Sequence, residues 1–241
     1  SITTAIENSL RSLRTDYIDL YQLHWPNRGS YMFRQNWTYN PTQQDTNATL
    51  DHMTETLQHL DTLRLSGKLR YVGLSNETAW GAMRWLTIAA TLNLPRMVSI
   101  QNEYSLLCRL FDLDMAELSY HENIGLLSYS PLAAGLLSGK YADGVTPAGT
   151  RRSINADLGG RINKHLWPAL DGYLDIARRH ELDPCQMALA WAATRPFMTS
   201  QIIGATSLTQ LQTALESTTV KLSDTVMLDI QNNFRRYPMP Y

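Results

Sequence analysis

Five short apolar runs, each followed by a stretch with helical periodicity, constrain this chain more than any other feature. The runs lie at 17–25, 71–75, 98–101, 125–129 and 201–204. Three of them are almost continuously apolar, the pattern of parallel strands covered on both faces. Helical stretches are expected at 2–13, 49–66, 78–92, 114–121, 166–179, 184–194, 208–216 and 223–235. In the second, Met53, Leu57, Leu60 and Leu63 share one stripe, and Gly67 fits the position just past the helix end. Asp183 followed by Pro184 reads as a cap and first-turn proline. Strand followed by helix, five times over, predicts an α/β fold with a parallel sheet.

Composition narrows the class of protein. The 241 residues carry 21 Lys+Arg against 22 Asp+Glu, a formal charge of −1, with no basic block to grip nucleic acid. No apolar run reaches the roughly 18 residues that a membrane span needs, and the opening SITTAIENSL has no secretory pattern. A chain of this length hides roughly 70–75% of its unfolded surface, enough for a core without staples. Cys108 and Cys185 form no CxxC and read as thiols in a reducing, cytoplasmic setting. No linker or repeat breaks the chain, so 1–241 reads as a single domain.

The carboxyl ends of the runs carry polar or aromatic groups: His24, Ser75 with Asn76, Gln101 with Asn102, Tyr129 with Ser130, and the segment 205–207. In (β/α)8 barrels and open doubly wound sheets, ligands sit at those ends. The two middle intervals match a βα unit of about 30 residues. The first and last hold long loops, 27–47 and 142–164, and long loops at a ligand face are usually functional. Other chemistry lacks support. There is no GxGxxG; Gly135 to Lys140 falls one residue short of a P-loop; Gly73-Leu-Ser75 lacks the nucleophile-elbow spacing. His52, Glu55 and His59 could face one way on a helix, but they sit among surface-type residues and read as a solvated face, so no metal site is expected. Taken singly, His24 reads as a packed histidine before a catalytic one, Ser75-Asn76 as a cap for the helix near Thr78, and Tyr129 as a core aromatic. Their joint placement on successive strand ends favours function.

At these residues a family resemblance appears. Leu13-Arg-Thr-Asp16-Tyr-Ile-Asp-Leu-Tyr-Gln-Leu-His24-Trp-Pro26 resembles the fourth-strand segment of aldo-keto reductases, and Gly67-Lys-Leu-Arg-Tyr-Val-Gly73-Leu-Ser75-Asn76 the fifth. Gln101-Asn-Glu-Tyr-Ser105 resembles the sixth, Tyr129-Ser-Pro131-Leu-Ala-Ala-Gly135-Leu-Leu-Ser138-Gly-Lys140 the seventh, and Ile203-Gly204-Ala-Thr206-Ser-Leu-Thr-Gln210 the eighth. The motifs run in family order along essentially the whole chain. The segments Asp175-Ile-Ala-Arg-Arg-His180 and Gln186-Met-Ala-Leu-Ala look nearest to the bacterial, Tas-like branch.

The resemblance implies a (β/α)8 TIM barrel, represented here by its last five βα units, with NADPH/NADP as cofactor and a small-molecule carbonyl as substrate. His24 would orient the substrate carbonyl. Ser75, Asn76 and Gln101 would hydrogen-bond the nicotinamide carboxamide, and Tyr129 would stack on the ring. Ser130, Leu132, Gly135, Ser138 and Lys140 would cradle the pyrophosphate, with Arg151 reaching in; Pro131 and Gly204 belong to the same cofactor segments. Thr206 and Gln210 would lie at the adenosine end. The family's active-site Asp, Tyr and Lys find no matching position in 1–241, so the chain reads as an N-terminally truncated barrel that is catalytically silent by itself. Thr213 and Ala214 replace a Glu-Asn pair common after Gln210, and nothing in 206–214 is basic, so the NADP preference rests on the resemblance alone. A rival from another class is a nucleotide-binding, non-catalytic subunit resembling potassium channel β subunits; His24 favours the enzyme.

Overall fold

The computed structural model describes residues 2–241. The chain divides into two compact units, Ser1–Gln101 with Asp114–Leu126, and Asn102–Leu113 with Leu127–Tyr241. In the first unit α1 (Ile2–Leu13), β1 (Ile18–Leu23), α2 (Thr46–Leu65), β2 (Leu69–Ser75) and α3 (Ala79–Leu92) lead into β3 (Met97–Glu103). After it come α4 (Asp114–Glu122) and β4 (Gly125–Tyr129). The sheet order is β1-β2-β3-β4-β5, with β5 at Met198–Ile202, and β1/β2 and β2/β3 pair in parallel. The α/β reading is therefore shown.

Local chemistry explains the boundaries. The stripe expected on α2 is buried: Leu57 and Leu60 are fully enclosed, Met53 and Leu63 nearly so. Each such side chain contributes about 1.5–3 kcal/mol. At its end, the Gly67 and Lys68 amides donate to the carbonyls of Arg64 and Leu63, with Gly67 at φ +78°. That pair of bonds is a Schellman stop, and it requires the left-handed residue that glycine supplies. The next helix is capped by Thr78, whose hydroxyl accepts from the Gly81 amide. Ser75 and Asn76 are thus not its cap, and the bland reading of that pair falls away.

One irregularity shapes the sheet. Val72 pairs with Met97 but Leu74 pairs with Ile100, so β3 inserts an extra residue opposite Gly73. Such a bulge re-aims side chains, and here it brings Ser99 over Gly73. A Cβ on Gly73 would lie 2.4 Å from Ser99 Oγ and 3.2 Å from Gln22 Cγ. Glycine is needed there for space, not for an unusual φ.

The second unit holds α5 (Arg151–Ile154), α6 (Leu166–Arg179), α7 (Pro184–Ala193), β5, α8 (Leu208–Glu216) and α9 (Asp224–Arg236). Asp183 caps α7 through the Gln186 amide at 2.9 Å, with Pro184 in the first turn, as expected. Its core packs Tyr104 against Trp191 with ring centroids 5.5 Å apart and planes 13° apart. The last strand starts three residues earlier than the apolar run suggests and ends at Ile202, leaving Ile203 and Gly204 outside it. Exposure explains the shift: Thr199, Ser200 and Ile202 face outward, so β5 never needed an apolar sequence. Among the described residues, no helix is long and apolar enough to cross a membrane.

Gly73→Ala is expected to cost about 1–3 kcal/mol through overpacking. Urea unfolding should show the loss, and Gly73→Ala combined with Ser99→Ala should recover only part of it, because the Ser99 carbonyl still lies 3.0 Å from the added carbon.

Candidate active site

The first unit gathers four of the expected residues. His24 follows β1, Ser75 closes β2, Asn76 follows it, and Gln101 lies near the end of β3. Ser75 Oγ donates to the Gln101 carbonyl at 2.7 Å, and the Asn76 amide donates to the same carbonyl at 3.0 Å. Asn76 Nδ2 donates to the His24 carbonyl at 2.8 Å and to Ser75 Oγ at 3.1 Å. Three strand ends are thereby tied together by the side chains of Ser75 and Asn76 and by one backbone bond from Asn76 to Gln101. Asn76 is buried and left-handed at φ +54°, a conformation that persists where the surroundings fix it and that is common at functional sites. The His24 ring is exposed and leans on Trp25 at 4.1 Å.

Gln22 and Glu77 were not singled out from the sequence. Strand alternation puts Gln22 on the same face as His24. Its amide joins Gln101, Ser99 and the Leu74 carbonyl. Glu77 is 1% exposed and binds Arg28 through two bonds, at 2.5 and 3.2 Å. It also accepts from the Thr78 amide at 2.8 Å and from Trp85 Nε1 at 3.3 Å. Arg28 stacks over Trp80 at 4.9 Å. Its partner is 49 residues away in sequence, which is why no local pattern could reveal it.

A cavity of about 690 Å³ opens beside these groups, lined by His24, Trp25, Asn27, Asp45, His52 and Ser75 among others. That volume is within the range of small-molecule sites. Asn27 Nδ2 lies 2.6 Å from His52 Nε2, and His59 Nδ1 lies 2.7 Å from the Glu55 carbonyl.

The second unit carries the remaining expected residues. Tyr129 is half-buried at the end of β4, and its carbonyl accepts from the Tyr104 amide at 3.3 Å. Directly after it, Ser130, Ala133, Ala134 and Gly135 all have positive φ, at +52°, +49°, +57° and +93°. Pro131 is buried and Leu132 half-buried. Ser138 Oγ donates to the Gly135 carbonyl at 2.8 Å. A Cβ on Gly135 would sit 2.9 Å from Lys140 Cε, so the absence of a side chain lets the lysine lie along the loop. Lys140 and Arg151 are exposed, and among the described residues neither has an ion-pair partner. Gly204, Thr206 and Gln210 are exposed, and Gln210 Oε1 accepts from both the amide and the hydroxyl of Thr206, at 2.9 and 3.1 Å. Burial pushes the Cys185 thiol pKa up to about 11, with the Asp183 charge adding to the rise.

Parallel α/β architecture with polar groups at the strand ends defines the class of fold. The model of the Aldo/keto reductase family matches residues 1–233. "Protein tas" of Escherichia coli (strain K12) is 42% identical over 243 residues, covering all of this chain and 68% of that protein. "Aldo-keto reductase" of Babesia bovis is 35% identical, covering 97% of this chain and 85% of that protein. "Probable voltage-gated potassium channel subunit beta" of Oryza sativa subsp. japonica is 28% identical, covering 87% of this chain and 59% of that protein. The chain belongs to the aldo/keto reductase family, a family of oxidoreductases.

Arg28→Met leaves the Glu77 charge buried without its cation, and a loss of about 3–5 kcal/mol is expected in urea unfolding. The double variant Arg28→Met/Glu77→Leu should lose much less. Equal losses would show that the pair is not coupled.

Proposed function

We propose that this chain serves an NADPH-dependent reduction of aldehydes or ketones, within a single (β/α)8 barrel domain of which it forms the last five βα units, and in the cytoplasm. The observation that supports this reading is the wiring of Ser75, Asn76 and Gln101 beside His24, a cluster of amide and hydroxyl groups of the kind a carboxamide, with both a donor and an acceptor, can pair with. The donor set fits a nicotinamide cofactor. In the second unit, the left-handed residues Ser130, Ala133, Ala134 and Gly135 and the two exposed cations Lys140 and Arg151 fit a pyrophosphate.

Each residue then has a task. Ser75, Asn76 and Gln101 hold the carboxamide, and Tyr129 offers a ring face for stacking. Ser130, Pro131, Leu132, Gly135 and Ser138 shape the anion loop, to which Lys140 and Arg151 bring charge. Gly204, Thr206 and Gln210 serve the adenosine end. His24 orients the carbonyl of the substrate. The cofactor, when bound, supplies the hydride. The oxygen that receives the developing charge also needs an acid, normally worth about 10²–10⁴ in rate. Tyr21 is a poor one, because burial raises its pKa. Tyr31 packs edge-on to Tyr39 at 5.9 Å. Residues 1–241 by themselves are therefore expected to bind NADPH without steady turnover.

The rice relative favours a second reading, a nucleotide-binding accessory subunit. A chimera that supplies the family's Tyr- and Lys-bearing strands separates the two: carbonyl-dependent NADPH consumption, abolished by His24→Ala, supports the reductase, and its absence supports the accessory subunit. Turnover by residues 1–241 alone would place a proton donor within this chain.

Cofactor contacts are tested by fluorescence titration. Tyr129→Ala is expected to weaken NADPH binding by about 1–2 kcal/mol through lost stacking area. Lys140→Ala should weaken it in a manner that fades with added salt, whereas the Tyr129 effect should not. Unchanged affinity in both variants would remove the proposed loop from the site.

A further inference from the structure

We infer that Gln22 is a positioning residue that fixes which end of the Gln101 amide is offered to the cofactor. The inference rests on the proposed nicotinamide site and deepens it. A glutamine amide has a donating and an accepting end of nearly the same shape, so its surroundings decide its orientation. The Leu74 carbonyl can only accept, and it takes a hydrogen bond from Gln22 Nε2 at 3.3 Å. Ser99 Oγ takes the second Gln22 Nε2 proton at 3.2 Å. Both Gln22 protons are then used, which leaves Gln22 Oε1 as an acceptor.

Gln101 Nε2 donates to that oxygen at 2.8 Å. The orientation set by a backbone carbonyl is thus passed through Gln22 to Gln101. What Gln101 retains for a ligand is Oε1, and among the described residues no group donates to it. An amide oxygen can accept from an –NH2 group. On a nicotinamide that group is the carboxamide nitrogen.

The backbone is built around this relay. The one-residue bulge in β3 places Ser99 opposite Gly73, and glycine leaves the room in which Ser99 Oγ and Gln22 meet. Gln22, Gly73, Ser75, Ser99 and Gln101 recur at two-residue steps on their strands, so they line one face of the sheet. Leucine at position 22 would satisfy the sheet equally well as packing, yet it would leave the Gln101 amide free to turn over.

The test compares binding of NADP+ with that of its 3-acetylpyridine analogue, in which a methyl group replaces the –NH2. The unsubstituted chain is expected to prefer NADP+ by about tenfold, the worth of one well-placed hydrogen bond. Gln22→Leu should reduce that ratio to about twofold or less, since a freed Gln101 amide can turn either end to the ligand. Gln22→Glu keeps an acceptor for Gln101 Nε2 and should retain more of the preference than Gln22→Leu. Ser99→Ala removes one of the two groups that hold Gln22 and should lower the ratio part way, which keeps the inference testable should Gln22→Leu not fold. A ratio unchanged in Gln22→Leu and Ser99→Ala, with both dinucleotides still bound, overturns this inference alone. Failure of the unsubstituted chain to bind either dinucleotide overturns the nicotinamide site and this inference with it.

Discussion

The buried carboxylate of Glu77 is the constraint on which the first unit's strand ends depend. An ionised carboxylate taken out of water costs several kcal/mol unless partners surround it. Here the partners are the Arg28 guanidinium, the Thr78 amide and the Trp85 indole, which come from a loop, a helix start and a helix interior. Arg28 lies four residues after His24, and Glu77 directly follows Asn76. Satisfying one charge therefore pins the loop that carries His24 to the turn that carries Asn76. Gly81 shows how close the fit is: a Cβ there would fall 2.2 Å from both Arg28 Nη2 and Glu77 Oε1. The His24 ring can be exposed and still be well placed, because its backbone is held from behind.

The second unit uses a similar device. Arg109 pairs with Asp112 at 2.5 Å and lies 3.8 Å over the Phe234 ring, while Tyr104 Oη donates to Asp112 Oδ1 at 2.5 Å. Glu103, at the end of β3, accepts from Arg161 Nε and Nη2 at 2.9 and 2.7 Å and from Tyr241 Oη at 3.4 Å. Burial among these partners, with the Glu103 charge beside it, raises the Tyr241 pKa well above its ordinary value. Arg161 belongs to the long loop after β4, so a buried ion pair orders a segment that secondary structure leaves largely irregular.

What could be read from the sequence follows from the range of the interactions involved. The α2 stripe, the Gly67 stop and the Asp183-Pro184 start depend on residues within a few positions, so pattern alone locates them. The strand-end residues could be named because each closes an apolar run. The bonds among them could not, since Asn76 reaches His24 across 52 positions and Gln101 reaches Gln22 across 79. Glu77 has its cation, Arg28, 49 positions away, beyond the reach of any local pattern. The last strand was displaced because a half-exposed strand carries Thr199 and Ser200 where the eye seeks valine. Ser75-Asn76 seemed a cap because Ser and Asn are good caps; Thr78, one step before the helix, took the part.

The composition of the face shared by β1, β2 and β3 carries the functional argument furthest. The opposite face of β2 and β3 includes Val72, Leu74 and Ile100, each 1% exposed or less. On this face, beyond Leu20 and Tyr71, stand Gln22, Gly73, Ser75, Ser99 and Gln101. Amides and hydroxyls in a sheet stabilise less than packed aliphatic side chains, and they are tolerated only when their hydrogen bonds are met. Here Gln22 makes three, Ser75 two, and Gly73 keeps the space in which they form. A sequence selected for stability alone would fill such a face with leucine and valine. Local rules of burial are broken most often where a ligand has to be recognised. In this sheet the hydrogen-bonded amides and hydroxyls share the face that runs up to His24, Ser75 and Gln101.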